Sequence, residues 1–164
     1  MSISVVPVDK TDVPAIVEIE QAAFSDPWSA RSFQDALAHP AVFFACARND
    51  SNDSNDSNGG NGGDGDVLGY VVAWFVADEG EIANLAVAPA GWGRGIGRTL
   101  LDAALSEARA RKANAVYLEV RDSNERARRL YGSREFEEIG RRRNYYQLPD
   151  EDAIVLRRTL TQDV

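Results

Sequence analysis

The chain has 164 residues but only one cysteine, Cys46, and one histidine, His39. A single cysteine excludes a disulfide within the chain and any zinc site built on several cysteines. No apolar run approaches the roughly 20 residues that a membrane-spanning helix needs. The N-terminal Met1–Ser4 also lacks the basic and apolar regions of a secretory signal. We therefore expect a cytoplasmic protein with no metal and no membrane partner.

Most of the excess negative charge lies in one part of the chain. The formal net charge is −8, and five of the 26 acidic residues lie between positions 49 and 66. Without them, 21 acidic residues stand against 18 basic ones, which leaves −3. Nucleic acids are held mainly by clustered Lys and Arg that neutralise phosphates. A mildly acidic surface therefore argues against direct binding to nucleic acid, and the charge says nothing about oligomeric state.

The segment Asn49–Asp66 reads NDSNDSNDSNGGNGGDGD and contains no apolar residue. Such a segment cannot offset the entropy lost on ordering, so we predict a disordered loop. Its flanks, Ala41–Arg48 and Val67–Ala77, have the apolar composition of strands. Because long surface insertions cost little stability, we expect a hairpin whose turn has been expanded.

Apolar periodicity and capping residues predict the order β, α, α, β, β, β, α, β, α, β, β. We expect Thr11 or Asp12 to cap the first helix and Ser29 the second. This order indicates one α/β domain over residues 1–164, with a mixed, mostly antiparallel central sheet flanked by helices and one strand–helix–strand crossover. The predicted strands and helices are Ile3–Val8, a helix to Phe24, a helix to Ala38, Ala41–Arg48, Val67–Ala77, Glu81–Ala88, Thr99–Arg111, Ala115–Val120, Asn124–Tyr131, Phe136–Arg141 and Ala153–Leu160.

Four glycines at alternate positions, Gly91 to Gly97, lie between a predicted strand and a predicted helix. They leave the N–H groups of the first helical turn unshielded, and these groups together with the helix dipole attract anions. The segment therefore predicts a site for a phosphate-bearing ligand. It is not a P-loop, since no Lys-Ser or Lys-Thr follows the last glycine. A dinucleotide site is disfavoured, because such folds need repeated crossovers. The glycines alone leave nucleotide, dinucleotide and acyl-CoA open.

Further motifs resolve this choice through a resemblance. They are similar to those of the GNAT superfamily of N-acetyltransferases, and within it to the bacterial ribosomal-protein-alanine N-acetyltransferases. The resemblance covers nearly the whole chain outside Asn49–Asp66. The motifs that carry it are Asp26–Ser29, Glu81–Pro89, Gly95–Leu101, Tyr117–Arg121, Asn124, Leu130-Tyr131, Arg143–Tyr146 and Glu151–Ile154.

Two positions depart from the superfamily pattern. Trp92 stands where Gln or Arg is usual, a change that we expect to be tolerated because backbone N–H groups hold the pyrophosphate. Glu135 stands where Gly is usual before the aromatic residue of the sixth strand. A residue other than glycine does not easily adopt a positive φ, which predicts an altered turn after Tyr131.

The resemblance implies transfer of the acetyl group of acetyl-CoA to a protein N-terminal α-amine. The N-terminal alanine of a small-subunit ribosomal protein is the specific substrate that it implies. A small-molecule amine or antibiotic is the alternative acceptor, and a CoA-binding regulatory domain without catalysis is the non-enzymatic alternative. An α-amine has a pKa of about 7.7–8.0 and must lose its proton before it attacks.

The resemblance also implies residue roles. Glu119 is the expected base, acting directly or through a water, although strand alternation alone favours a surface residue or a partner for Arg121. Tyr131 is the expected acid for the departing thiolate. Arg141–Arg143 and Tyr145-Tyr146 are interpreted as a wall of the peptide groove. The expected cofactor-binding residues are Leu85, Ala86 and Val87 through their backbones, Gly93, Arg94, Gly95, Ile96, Gly97 and Arg98 around the pyrophosphate, and Asn124 at the cofactor arm.

Overall fold

A seven-stranded sheet in the order β1-β2-β3-β4-β5-β7-β6 organises the residues that this computed structural model describes, 2–50 and 66–160. The elements follow each other as the sequence predicts. They are β1 (Ile3–Pro7), α1 (Val13–Ala23), α2 (Ala30–Ala38), β2 (Val42–Asn49), β3 (Val67–Val76), β4 (Glu79–Val87), α3 (Ile96–Ala110), β5 (Ala115–Arg121), α4 (Glu125–Gly132), β6 (Glu137–Tyr146) and β7 (Glu151–Thr159). None of these helices is long and apolar enough to span a bilayer.

Neighbouring strands run antiparallel except β4 and β5, which are parallel and joined by α3. The sequence predicted this single crossover. The predicted hairpin is also confirmed, since β2 and β3 pair from Val42 opposite Trp74 to Arg48 opposite Val67. Apart from its ends, the predicted disordered loop between these strands lies outside the described residues.

Helix α3 covers one face of the sheet with the apolar stripe that its periodicity predicts. Burying a Leu or Ile side chain fully contributes roughly 1.5–3 kcal/mol relative to leaving it exposed, so this stripe is a main source of stability. Its members, each at most 2% exposed, are Ile96, Leu100, Leu101, Ala104, Leu105 and Ala108.

The opposite face carries α1 and α2 over an aromatic cluster. The ring of Phe33 lies 5.5 Å from Tyr70 in an edge contact and 5.8 Å from Phe44. The predicted cap of α2 is confirmed, since Ser29 Oγ accepts from the Ser32 N–H at 3.1 Å. The two helices therefore enclose a second core on the face away from α3.

The predicted cap position of α1 is confirmed, since Asp12 is the N-cap residue, but its side chain makes no capping hydrogen bond to this helix. Asp9 accepts from the Thr11 N–H at 2.9 Å and caps a short 3₁₀ turn, Lys10–Asp12, that leads into α1. The Asp12 carboxylate in turn accepts a hydrogen bond from the Asp9 N–H at 2.9 Å, and the two bonds form a capping box. The Asp12 carboxylate is thus used in the preceding 3₁₀ turn and not on the first turn of α1.

Strand β6 is longer than predicted. It runs to Tyr146 rather than Arg141, and almost all of its residues are exposed. As an edge strand it needs no alternating apolar face, so its last residues, Arg142 to Tyr146, show no strand pattern in the sequence. This extension brings Arg142, Tyr145 and Tyr146 towards the centre of the molecule.

Glu135 adopts a φ of +63°, so the altered turn expected there does not occur. The turn keeps the left-handed conformation that glycine adopts without strain. Phe136 is consequently 6% exposed, and its N–H donates to Tyr131 O at 3.1 Å. The Glu135 carboxylate lies 3.2 Å from Arg158 but is 81% exposed, so this ion pair offsets little of the strain.

One β-bulge shapes the centre of the sheet. On β3 the consecutive residues Val72 and Ala73 pair with Asn84 and Ile82, so Ala83 is the extra residue of β4. The bulge turns the Asn84 side chain towards α1, where it donates to Glu20 Oε1 at 3.0 Å.

Glu20 is 1% exposed and also accepts hydrogen bonds from the Tyr70 hydroxyl and, at 3.1 Å, from the Trp28 N–H. Burial raises the pKa of Glu20 above its usual value, and these three donors oppose the rise. One buried carboxyl group thus ties α1, β3, β4 and the segment before α2 together.

We expect Glu20→Ala to lower the free energy of unfolding by about 3 kcal/mol or more. The change leaves three buried donors without their acceptor, and each such loss costs about 1–3 kcal/mol. Urea unfolding followed by circular dichroism measures it. Glu18→Ala, on the exposed side of the same helix, is the control and should change stability by at most about 0.5 kcal/mol. Equal losses in both variants would contradict the role of Glu20.

We expect Glu135→Gly to raise the free energy of unfolding by about 1 kcal/mol, because a left-handed conformation costs a side-chain-bearing residue about 1–2 kcal/mol. Thermal unfolding by calorimetry measures the gain. Glu135→Ala is the matched control, since it removes the same ion pair but keeps the Cβ, and it should not stabilise the protein. A gain as large in the alanine variant would show that the carboxylate, not the backbone, is the source of the strain.

Candidate active site

The pairing between strands β4 and β5 stops before either strand ends. Their parallel pairing runs from Glu79 opposite Ala115 to Ile82 opposite Leu118 and stops there, although β4 continues to Val87 and β5 to Arg121. The bulge at Ala83 lies directly at this point and bends β4, as bulges do. The result is a gap in the sheet between the C-terminal halves of two adjacent strands.

Backbone groups of β4 face this gap. The Ala88 N–H donates to Leu68 O of β3 at 2.8 Å, and successive strand residues alternate the edge to which their polar backbone groups point. Leu85 and Val87 therefore direct their backbone groups into the gap, whereas those of Ala86 face β3. Of the three residues predicted to serve a ligand through the backbone, two have the orientation that this role requires.

The glycine segment closes one end of the gap. Gly93 and Gly95 have φ values of +77° and +75°, and a Cβ added to either would have no atom within 4 Å. The space beside these glycines is therefore open. A side chain at Gly97 would lie 3.4 Å from Leu130 of α4 and 3.7 Å from Val87, so β4, α3 and α4 converge here.

The start of α3 meets the requirements of a diphosphate site. Its first intrahelical hydrogen bond runs from the Thr99 N–H to Gly95 O at 3.0 Å. The N–H groups of Ile96, Gly97 and Arg98 therefore have no helical carbonyl one turn earlier to which they could donate. The positive end of the helix dipole lies at the same place. The side chains of Arg94 and Arg98 are exposed beside it.

The indole ring of Trp92, which stands where Gln or Arg is usual, makes two contacts of its own. Its indole N–H donates to Val87 O at 3.0 Å, which ties the glycine segment back to the end of β4. The guanidinium carbon of Arg126, on α4, lies 4.6 Å from the centre of the indole ring. Trp92 thus connects three elements around the glycine end of the gap.

Glu119 lies on the face of β5 away from α3. Val116, Leu118 and Val120 belong to the core under α3, so the alternate residues, among them Glu119 and Arg121, face the layer of α1 and α2. The Glu119 side chain is 18% exposed, and its Oε1 lies 2.6 Å from Arg142 Nε. The sequence suggested Arg121 as its partner, but Arg121 makes other contacts.

Tyrosines surround the same carboxylate. The pKa of Tyr145 is raised above its usual value, mainly by a hydrogen bond to Glu119. Burial, followed by the charge of Glu119, raises the pKa of Tyr146 to about 12. The motif carrying these tyrosines was predicted to form a wall of the peptide groove, and the structure brings both of them close to Glu119.

Sequence reasoning missed a second carboxylate. Glu81 lies in the stretch of β4 that pairs with β5, opposite Tyr117, and shares a cavity of about 440 Å³ with Glu119 and Arg142. Burial first, and then the charge of Glu119, raises the pKa of Glu81 above its usual value. Its place at the start of the motif Glu81–Pro89 is the sequence signal that could have found it.

Tyr131 is 7% exposed, with its ring 5.6 Å from that of Phe136. Burial raises the pKa of Tyr131 above its usual value, and Tyr146 adds to the rise. Even an ordinary phenol, with a pKa of about 10, holds its proton more tightly than a thiol at about 8.5. Complete proton transfer to a thiolate is therefore uphill, and the arrangement favours a hydrogen bond from the Tyr131 hydroxyl.

Asn124 caps α4, since its Oδ1 accepts from the Ala127 N–H at 3.1 Å. A capping asparagine uses its oxygen and keeps its amide N–H₂ as a donor. The cap and the expected bond to the cofactor arm are therefore compatible in one side chain.

Comparisons with known proteins agree with this geometry. The family model described as Acetyltransferase (GNAT) family matches residues 13–136. The [ribosomal protein bS18]-alanine N-acetyltransferase of Escherichia coli K12 is 34% identical over 150 residues, which cover 90% of this chain and 91% of that protein.

Solved structures of acetyltransferases have the same fold. The crystal structure of the ribosomal-protein-S18-alanine N-acetyltransferase from Escherichia coli superposes with a TM-score of 0.82 and 30% identity, covering 99% of this chain and 97% of the other. Arabidopsis thaliana NAA60 in complex with acetyl-CoA shares the fold, with a TM-score of 0.82 and 19% identity over 97% of this chain and 99% of that one. The chain belongs to the GNAT family of acetyltransferases.

Proposed function

We propose that this acetyltransferase moves the acetyl group of acetyl-CoA to the N-terminal α-amine of a protein, and that its substrate is the N-terminal alanine of ribosomal protein bS18. The observation that carries the proposal is the gap between β4 and β5, which has an anion-binding helix start at one end and the Glu119 carboxylate beside it. The name of the Escherichia coli relative, 34% identical over 90% of this chain, supports the choice of acceptor.

Acetyl-CoA supplies an acetyl group activated as a thioester, and the residues around the gap fit its parts. The N–H groups of Ile96, Gly97 and Arg98 bind the pyrophosphate, with the open backbone of Gly93 and Gly95 beside it. The exposed side chains of Arg94 and Arg98 add positive charge. These roles agree with the expectations from the sequence.

The pantetheine arm lies along the free edge of β4. The backbone groups of Leu85 and Val87 serve it as a neighbouring strand would, because the pairing with β5 has ended. Ala86 contributes its small side chain to the packing of that stretch, and the Asn124 amide donates to the arm. The Leu85 N–H is the donor that stabilises negative charge on the thioester oxygen.

Glu119 takes the proton of the acceptor amine, directly or through one water. Arg142 and Tyr145 hold its carboxylate in place. The cavity is lined by four acidic residues, Asp78, Glu79, Glu81 and Glu119, and by one arginine. This environment attracts a cationic ammonium group before it is deprotonated. On the other side of the gap, the Tyr131 hydroxyl donates a hydrogen bond to the departing sulfur.

Glu119→Gln should lower kcat about 10²-fold or more, since a positioned base contributes about 10²–10⁴. Tyr131→Phe should lower kcat about 10²-fold, since it removes a positioned donor to developing negative charge. Release of free thiol, measured with peptides that start with Ala, Ser or Met, gives the rates. Glu137→Gln, an exposed carboxylate on β6, is the control and should keep full activity.

The same assay separates the alternative acceptors. Aminoglycosides, polyamines and free amino acids serve as competing substrates, and bS18-derived peptides should be turned over much faster. Turnover of small amines alone would replace the peptide proposal, and binding of acetyl-CoA without any turnover would indicate a non-catalytic domain.

Arg98→Gln should weaken binding of acetyl-CoA about fivefold, because an exposed charge contact contributes up to about 1 kcal/mol. Titration calorimetry at two salt concentrations should show a smaller difference at high salt, where screening weakens such contacts. Arg109→Gln, in the last turn of the same helix, is the matched control and should bind like the wild type. Equal losses in both would mean that overall charge, not a local phosphate contact, governs affinity.

A further inference from the structure

Arg121 ends β5, two residues after Glu119 and on the same face of the strand. Its guanidinium donates to two carbonyls in the turn between β6 and β7, Pro149 O at 3.0 Å and Gln147 O at 2.9 Å. It also donates to Ser25 Oγ, between α1 and α2, at 3.1 Å. One side chain therefore bridges two segments that are far apart in sequence, the β6–β7 turn (residues 147–150) and the α1–α2 loop (residues 24–29).

The geometry requires an arginine. The guanidinium carbon of Arg121 lies 4.5 Å from the centre of the Tyr146 ring, and this stacking orients the planar group so that its separate N–H bonds reach all three acceptors. A lysine at the same position carries one compact ammonium on a flexible stem and does not present this fork. The bridge thus depends on the shape of the group as well as on its charge.

Other contacts hold the outer ends of both segments. The Trp28 N–H of the α1–α2 loop donates to the buried Glu20 at 3.1 Å. Next to the β6–β7 turn, Glu151 accepts from the N–H and hydroxyl of Ser123 at 2.8 and 2.6 Å. Arg121 acts between these anchors, where the two segments face each other.

The two segments border the approach to Glu119. Both lie at the C-terminal end of β5, on the face to which the Glu119 side chain points. Tyr145, near the end of β6 and just before the turn, is hydrogen-bonded to Glu119. The pyrophosphate end of the gap lies at α3, so an acceptor chain arrives from the side of these segments. Exposed apolar surface is present here, since Leu148 of the turn is 73% exposed and Tyr145 51%.

We propose that Arg121 is a positioning residue that sets the spacing between the α1–α2 loop and the β6–β7 turn, and thereby the affinity for an extended peptide acceptor. The inference rests on the proposed function, because it assumes that the acceptor is a peptide. A peptide contacts both segments on its way to Glu119, whereas acetyl-CoA binds at the far end of the gap. Loss of the bridge therefore weakens peptide binding and leaves the cofactor site intact.

Steady-state kinetics with a bS18-derived peptide test the proposal. Arg121→Ala should raise the KM for the peptide about tenfold or more, with kcat within about threefold and the Kd for acetyl-CoA unchanged; tenfold corresponds to about 1.4 kcal/mol. Arg121→Lys should not rescue the KM, since it restores only the charge. Ser25→Ala should give a smaller rise, and should add little in the Arg121→Ala background if both residues act through one bridge.

Arg111→Ala is the matched control. Arg111 also combines an ion pair, at 2.9 Å from Glu107, with a ring contact, at 4.8 Å from the centre of Phe75, but it lies just beyond the end of α3. Its loss should leave both kinetic constants unchanged. An equal rise in peptide KM in this variant would attribute the effect to general destabilisation and overturn the proposal.

Hydrogen exchange of the free protein tests the bridge without any substrate. In Arg121→Ala, exchange should rise together in the α1–α2 loop and the β6–β7 turn. If the wild type fails to acetylate peptides, the proposed function fails while these exchange data still decide whether the bridge exists. If the wild type is active, an unchanged peptide KM, a changed Kd for acetyl-CoA or faster exchange in only one segment would overturn the inference.

Discussion

The early end of pairing between β4 and β5 is the constraint on which the rest of the site depends. In a continuous sheet the backbone groups of Leu85 and Val87 would be consumed by the next strand. Here the bulge at Ala83 bends β4 and the pairing stops at Ile82, so those groups do not pair with β5, although the Val87 carbonyl accepts from the Trp92 indole N–H. A buried carboxyl group at Glu20 holds the bulged strand through Asn84, and its desolvation is offset by three donors. The opening is thus built into the core and does not rely on a mobile loop.

The gap separates two electrostatic environments that suit the two substrates. At the start of α3, unpaired N–H groups and two exposed arginines produce positive potential, which suits the phosphates of a CoA ester. Beside Glu119 the cavity is lined by carboxyl groups with one arginine among them, which suits a protonated amine.

The amine side is assembled across the sheet. Arg142 of β6 and Arg121 of β5 both lie opposite Ala153 of β7, which separates the two strands. Ala153 is small and fully buried, so the longer side chains on either side extend over it, and Arg142 reaches Glu119. The edge strand that looks least like a strand in the sequence therefore supplies the closest partners of the expected base.

Local sequence signals predicted much of this molecule. The order of helices and strands, the apolar stripe of α3, the Ser29 cap and the glycine turn before α3 follow from periodicity, capping and backbone freedom, which act over a few residues. The main error occurs where neighbours in space outweigh neighbours in sequence, at the end of β6. Glu119 and Tyr131 came from family resemblance, because a carboxylate in an apolar strand and a tyrosine on a short helix are ambiguous by themselves.

The sequence by itself thus determined the order of the elements and the glycine turn before α3, because helix starts and glycine backbones are local properties. Only the tertiary structure decided where β4 leaves β5, that Glu81 joins Glu119, that Arg142 rather than Arg121 pairs with the expected base, and that Arg121 bridges two distant segments. These contacts join residues that are up to 96 positions apart, and they depend on strand order and on one bulge, which no local pattern encodes.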